Sequence, residues 1–296
     1  MKKRVFDLTR EDILTASRQD ILAAIQLAEG RTIMAECVTT MQPTIDLVSN
    51  PEIAAAFGAD MITLNCLDVF DAKVEVLGGE AHGTATSLDI NTVKAFTGRL
   101  VGCNLEPVPA DVTHIPAGRA VSEASVTQAI ELGMDYIMLT GNPGMKVSQE
   151  TILDAIALVR RLSEDIIIIA GKMHGGGVGN DYSLSFVQQF AEAGADIMMF
   201  PAPYTTPGIT TNMACEIMSE VHKQNMLGLL AIGTSQEGGT ESYIEKVAME
   251  AKAAGADIIH IGDGGYSGLA VPENILRLGL TVRGRRHQFK RMANRR

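Results

Sequence analysis

The sequence predicts an α/β fold, a (β/α)8 TIM barrel with an N-terminal helical extension and a basic C-terminal tail. The first observation behind this is a phrase that recurs along the chain: a helix closes at Gly, an Asp follows, and an apolar, β-rich run begins. It occurs as Gly58-Ala59-Asp60 before MITLN, Gly133-Met134-Asp135 before YIML, Gly194-Ala195-Asp196 before IMMF, and Gly255-Ala256-Asp257 before IIHI. Glycine closes a helix there at little steric cost. The second is spacing. With Asp165 and Met226 filling the gaps, runs start at 135, 165, 196, 226 and 257, the length of one strand-loop-helix-loop unit apart. The third is that eight such units in about 265 residues favour a closed barrel over an open sheet, and no Gly-x-Gly-x-x-Gly follows the first strand.

Residues 1–29 form the extension, in which Thr9-x-x-Asp12 and Ser17-x-x-Asp20 read as capping boxes for helices covering the barrel's bottom. The barrel occupies 30–280. Its first three strands begin near Arg31, Met61 and Leu100, their wider spacing explained by long loops at 69–87 and 107–121. Helical patterns lie at 51–58, 88–98, 122–133, 148–163, 183–193, 209–224, 241–254 and 272–280, with Pro51, Ser148 and Pro272 as start signals. Residues 281–296 are the basic tail, and no linker divides the 296 residues into domains.

Charge separates the tail from the rest. Seven bases and no acid lie in 283–296, leaving 18 bases against 35 acids elsewhere. The acidic body disfavours nucleic acid and anionic membrane as partners. The tail is expected to be solvated or docked on an acidic surface. Cys37, Cys66, Cys103 and Cys215 form no CxxC pair, and no signal-peptide pattern opens the sequence, so reduced thiols in the cytoplasm are expected. The longest apolar runs are far shorter than the roughly 20 residues of a membrane helix.

Alternate residues of a barrel strand point inward, and the last inward ones line the catalytic face. On strand one Thr32, Met34 and Glu36 share a phase; on strand two, Thr63 and Asn65; on strand three, Gly102, Asn104 and Glu106. The opposite phase is apolar plus a cysteine, which places Cys37, Cys66 and Cys103 under helices. On the fifth strand Ile166, Ile168 and Ala170 lead in phase to Lys172 and His174. A strand-end lysine suits a Schiff-base amine, a general acid or an anion-holding charge. Its structural alternative is an ion pair with Glu36 or Glu106. On strand eight the expected inward set is Ile259, Ile261 and Asp263, leaving His260 against a helix. The catalytic set is therefore Lys172, Glu106, Glu36 and His174, with Asn65, Asn104, Thr140, Asn142 and Asp263 orienting substrate.

Glycine-rich loops follow the last two strands, Gly233-Thr-Ser-Gln-Glu-Gly-Gly239 and Gly262-Asp-Gly-Gly-Tyr-Ser-Gly268. In many barrels these loops give backbone N–H groups to phosphate, which nominates Gly233, Thr234, Ser235, Gly262, Gly264 and Gly265. Asp263 and Glu237 lie in the same loops and oppose an anion. Glu36, Glu106 and Asp263 are also the oxygen ligands Mg²⁺ or Mn²⁺ would use.

The ending GADIIHIGDGGYSG resembles the ribulose-phosphate-binding superfamily of barrels, whose members include sugar-phosphate epimerases, aldolases and decarboxylases. The stretch IGDGGYSGLAVPENI with VRGRRHQFKRMA resembles more specifically an uncharacterised bacterial barrel family, some members of which carry the label haloacid dehalogenase-like hydrolase. That chemistry needs Asp-x-Asp, whereas Asp68-Val-Phe-Asp71 has another spacing. The decarboxylase run Asp-x-Lys-x-x-Asp is absent from strand three, and Lys172 ends strand five where barrel aldolases place theirs on strand six. The mouth residues point to a lyase or isomerase acting on a small phosphorylated or carboxylated, sugar-like metabolite, with Lys172 holding the oxyanion or carbonyl and Glu106 or Glu36 moving a proton. A divalent-metal-dependent hydrolase and a metabolite-binding regulatory barrel are the alternatives, and homo-oligomers are compatible with the fold.

Overall fold

The computed structural model describes residues 2–174 and 183–293. Eight parallel strands close a barrel: β1 (Thr32–Val38), β2 (Met61–Asn65), β5 (Leu100–Leu105), β6 (Tyr136–Leu139), β7 (Ile167–Gly171), β8 (Ile197–Pro201), β9 (Leu227–Ile232) and β10 (Ile258–Ile261), with β10 pairing back onto β1. Outside them lie α3 (Asn50–Ala56), α4 (Ile90–Thr97), α5 (Glu123–Glu131), α6 (Gln149–Leu162), α7 (Leu184–Ala193), α8 (Thr211–Lys223), α9 (Glu241–Ala253) and α10 (Pro272–Ala293). The chain is thus the expected (β/α)8 barrel. The loop at 69–87 contains a short antiparallel pair, β3 (Val74–Glu75) and β4 (Ser87–Leu88), that no alternation pattern signalled.

The recurring Asp closes adjacent strands with one side chain. Asp60 N–H donates to Ile33 O at 2.8 Å, and its carboxylate accepts the N–H of the same Ile33 at 2.9 Å. Asp135 does this with Val101, Asp196 with Ile168 and Asp257 with Gly228. Each carboxylate also meets a base: Lys94 at 2.9 Å from Asp135, Arg160 at 2.8 Å from Asp196, and His222 at 2.8 Å from Asp257. The preceding Gly58, Gly133, Gly194 and Gly255 all adopt the left-handed backbone that lets the helix end and the chain turn back.

Two apolar layers follow from strand phase. Ile33, Ala35, Ile62, Leu64, Val101 and Leu105 pack outward under the helices. Met34, Met61, Leu100, Met138, Ile169, Met199 and Leu229 fill the interior and join Phe6, Leu8, Ile21 and Ile25 of the N-terminal extension. That extension comprises α1 (Arg10–Thr15) and α2 (Arg18–Gln26), both started by the expected capping boxes, and it plugs the bottom.

Two phase assignments are corrected. On β7 the inward residues are Ile167 and Ile169, so Ile166, Ile168 and Ala170 pack against helices. On β10 the inward residue is His260, in register with Met34, while Ile259 and Ile261 face outward. Both strands are apolar on both faces, as buried parallel strands are, and offer no alternation to read. Cys37 and Cys103 are buried under helices as expected, but Cys66 lies past the end of β2, half-buried and with a left-handed backbone.

The basic tail continues α10 across a break at Gly284. Arg283 and Arg291 are buried on Asp60, at 2.6 and 2.8 Å, and Lys290 lies 2.8 Å from Asp7. Arg283, Lys290 and Arg291 of the tail thus dock on acidic groups, whereas Arg285 and Arg286 are exposed. Arg295 and Arg296 lie outside the described residues. Among the described residues no helix is long and apolar enough to cross a membrane.

Candidate active site

The C-terminal ends of the strands surround a cavity of about 620 Å³ lined by Glu36, Asn65, Asn104, Thr140, Asn142 and Asp263 among others. Parallel strands deliver their last inward side chains to one height, which is why residues from β1, β2, β5 and β6 converge. Asn65 is the hub. Its amide donates to Asp263 Oδ2 at 2.7 Å and to Asn142 Oδ1 at 3.1 Å, and its own oxygen accepts from Asn142 at 3.1 Å and Asn104 at 3.2 Å. Asn104 in turn accepts the Thr140 N–H at 3.3 Å. A layer below, Tyr136 reaches over β5 to Thr63 Oγ1 at 2.9 Å, and Gly102 leaves it room, since a Cβ there would lie 2.4 Å from the Tyr136 ring.

Burial sets the protonation of the acids. Glu36 is 2% exposed, and desolvation, reinforced by Glu237 and Glu106, pushes its carboxyl up to about 8. Asp263 is pushed up to about 7 by burial and by Glu36, partly offset by the Asn65 hydrogen bond. His260 Nε2 lies 3.3 Å from Glu36 Oε2, and complete burial holds the imidazole down at about 4, so it is neutral.

Several expected residues are placed differently. Lys172 is buried but does not line the cavity; burial lowers its ammonium, and the carboxylate that opposes this is Glu150, on the helix side. The neighbours of Glu36 and Glu106 are accordingly not Lys172. Glu106 Oε1 meets Arg119 at 2.7 Å and its Oε2 accepts the Asn142 N–H at 2.8 Å, so it secures the β6 loop instead of facing the cavity. Glu36, Glu106 and Asp263 therefore do not converge as one ligand set, and among the described residues no group of three or more His, Cys, Asp or Glu is arranged to hold a metal ion. His174 does line the cavity, its imidazole lowered first by burial and then by Lys172. The glycines after it, 175–177 and 179, lie outside the described residues.

Of the residues nominated for phosphate, Thr234, Ser235 and Gly264 line the cavity. Two of the N–H groups already have protein acceptors: Gly262 donates to Ile232 O at 2.9 Å, and Gly264 donates to Glu237 Oε1 at 3.2 Å. A Cβ at Gly233 would lie 3.3 Å from Met173 Sδ, and one at Gly265 would clash with the backbone of 269–271. Sequence reasoning missed two site residues. His260 was hidden by the unreadable phase of β10. Glu237 was visible as an acid in a glycine loop, but only the turn over Gln236–Gly238 directs it into the cavity.

The fold and mouth together define a barrel protein with an acid-lined pocket. The chain belongs to the family described as a domain of unknown function, DUF7916, whose model matches residues 6–296. No curated protein matches it in sequence. Among solved structures it is similar to an archaeal fructose 1,6-bisphosphate aldolase at 18% identity, covering 89% of this chain and 100% of that one with a TM-score of 0.54. It is also similar to 2,3-dimethylmalate lyase, a PEP mutase/isocitrate lyase superfamily member, at 16% identity over 82% and 77% of the chains with a TM-score of 0.51. The carboxyl transferase domain of Rhizobium etli pyruvate carboxylase matches at 12% identity and a TM-score of 0.55, covering 95% of this chain but 51% of that one. At these identities the likeness is one of fold.

Proposed function

We propose that the protein is a lyase or isomerase that moves a proton on a small, hydroxylated carbonyl metabolite, with two carboxyls in unequal protonation states as its acid and base. The observation that carries this reading is that Glu36 and Asp263 line one cavity while burial sets one carboxyl about 8 and the other about 7. Pairs of titratable groups held apart in this way mark acid and base roles. Burial raises both carboxyls, and the Asn65 amide favours the ionised form of Asp263, which makes Asp263 the base and Glu36 the acid. Asp263 then removes a proton from the carbon beside the carbonyl, and Glu36 gives its proton to the carbonyl oxygen. Return of the proton from Asp263 to the former carbonyl carbon, with the neighbouring hydroxyl proton passing to Glu36, is isomerisation; in cleavage Asp263 instead takes the proton of a β-hydroxyl as the adjoining carbon–carbon bond breaks, and Glu36 protonates the carbonyl oxygen to leave an enol. Asn104, Asn142 and Thr140 present donors and acceptors suited to hydroxyl groups.

The lyase and aldolase names of the similar barrels agree with this class of chemistry and add no residue role. Lys172, outside the cavity, has no part in it. The test is proton exchange in heavy water, followed by NMR over a panel of aldoses, ketoses and oxo acids. Wild type is expected to deuterate a carbon beside the carbonyl of at least one substrate, and Glu36→Gln to slow this by about a hundredfold or more. A Glu36→Gln variant that exchanges at the wild-type rate would refute the assignment.

A further inference from the structure

Glu237 is the acid at the mouth that this chemistry leaves unused. It stands where a barrel of this type would present its glycine loops to an anion, and it reverses their polarity. Its Oε1 takes the Gly264 N–H at 3.2 Å, while Oε2, in a side chain only 3% exposed and lining the cavity, has no hydrogen-bond donor. An unpartnered buried carboxylate oxygen is expensive, and the partner that relieves it is a donor, best a charged one.

Among the described residues no Lys or Arg lines the cavity, and the sequence of 175–182 contains neither. Arg119 is engaged by Glu106, and Lys172 lies in the field of Glu150. With no Lys or Arg lining the cavity among the described residues, ionised Asp263 and Glu237 disfavour phosphate and carboxylate groups there.

We propose that the substrate supplies the missing cation: the mouth takes a small hydroxylated metabolite bearing an amino group, with its ammonium on Glu237 and its hydroxyls on the Asn65, Asn104 and Asn142 amides. This rests on the mouth being the substrate site, and it replaces the anionic metabolite that the glycine loops suggest.

Three matched probes test it on the full chain at neutral pH: serinol, glycerol and β-glycerophosphate, which carry an ammonium, a hydroxyl and a phosphate on the same carbon skeleton. Binding is followed by NMR titration. Serinol is expected to bind in the millimolar range and about tenfold more tightly than glycerol, with β-glycerophosphate weakest. Glu237→Gln should erase most of the preference for serinol, and Glu237→Ser provides a second variant should the amide disturb the loop. Equal binding of serinol and glycerol, tighter binding of the phosphate, no binding of any probe, or an undiminished preference in both variants would each overturn the inference. The proton-transfer reading fails separately: serinol selectivity without deuterium exchange on any substrate leaves the amine site standing, and exchange confined to phosphorylated or carboxylated substrates removes the amine site alone.

Discussion

The two ends of this barrel use the same residue type in opposite ways. At the bottom, Asp60, Asp135, Asp196 and Asp257 each hold a backbone N–H and a base, and the deepest of them, Asp60, holds both Arg283 and Arg291. At the top, Glu36, Glu237 and Asp263 share a cavity that, among the described residues, no Lys or Arg lines. Burial is nearly as complete at both ends, so what differs is compensation. Paired carboxylates tie elements together, whereas at the top burial without a Lys or Arg raises the Glu36 and Asp263 carboxyls toward neutrality and keeps their protons available for exchange. The contrast matches the division of labour in such barrels, with stability at the bottom face and chemistry at the top.

The contrast breaks most visibly at Asp60. Replacing it by Asn leaves two fully buried guanidinium groups without a counter-charge, and urea unfolding should show a loss of about 3–5 kcal/mol. A loss no larger than that of a surface ion pair would mean that the tail arginines are not part of the barrel's foundation. Next in size is the chemical effect at the top, where Glu36→Gln is expected to suppress deuterium exchange while leaving the unfolding midpoint at neutral pH unchanged or raised, because a buried acid is replaced by a neutral isostere. A marked fall in stability would assign Glu36 to the structural class of carboxylates.

The pH dependence sharpens the same distinction. Glu36 binds its proton more tightly folded than unfolded, rising from 4.5 to about 8, and Asp263 rises from 3.8 to about 7. Their contribution is therefore fully present below the unfolded values and is lost as pH rises toward the folded ones. Stability should decline across that window, and Glu36→Gln should flatten the decline; an unchanged slope in the variant would show that Glu36 is not the group titrating. The smallest effect belongs to Asp257→Asn. Its partner His222 is well exposed, and thermal unfolding should register about 1 kcal/mol or less. A cost approaching that of Asp60→Asn would erase the gradation between buried and exposed pairs.

The Gly-x-Asp phrase marked the starts of four strands, with spacing and apolar runs placing the other four, because the phrase is a local chemical device: glycine ends the helix and the Asp engages both polar backbone groups of one neighbouring residue. Strand phase was equally legible at Glu36, Asn65 and Asn104, where polar residues alternate with apolar ones. It was illegible at Ile166–Ile169 and around His260, where both faces of a strand are buried and hydrophobicity cannot distinguish barrel axis from helix layer. That ambiguity put Lys172 at the mouth and His260 outside it.

The sequence by itself determined the order and type of elements and which end of each strand carries polar groups, since these depend on residues close together in the chain. Tertiary structure alone decided which charges meet. Asp60 joins Arg283 across more than two hundred residues, Glu106 turns to Arg119 instead of the cavity, and Glu237 takes the Gly264 N–H that an anion would use. Electrostatic pairing falls off with distance in space and is indifferent to separation along the chain, so no local pattern encodes it.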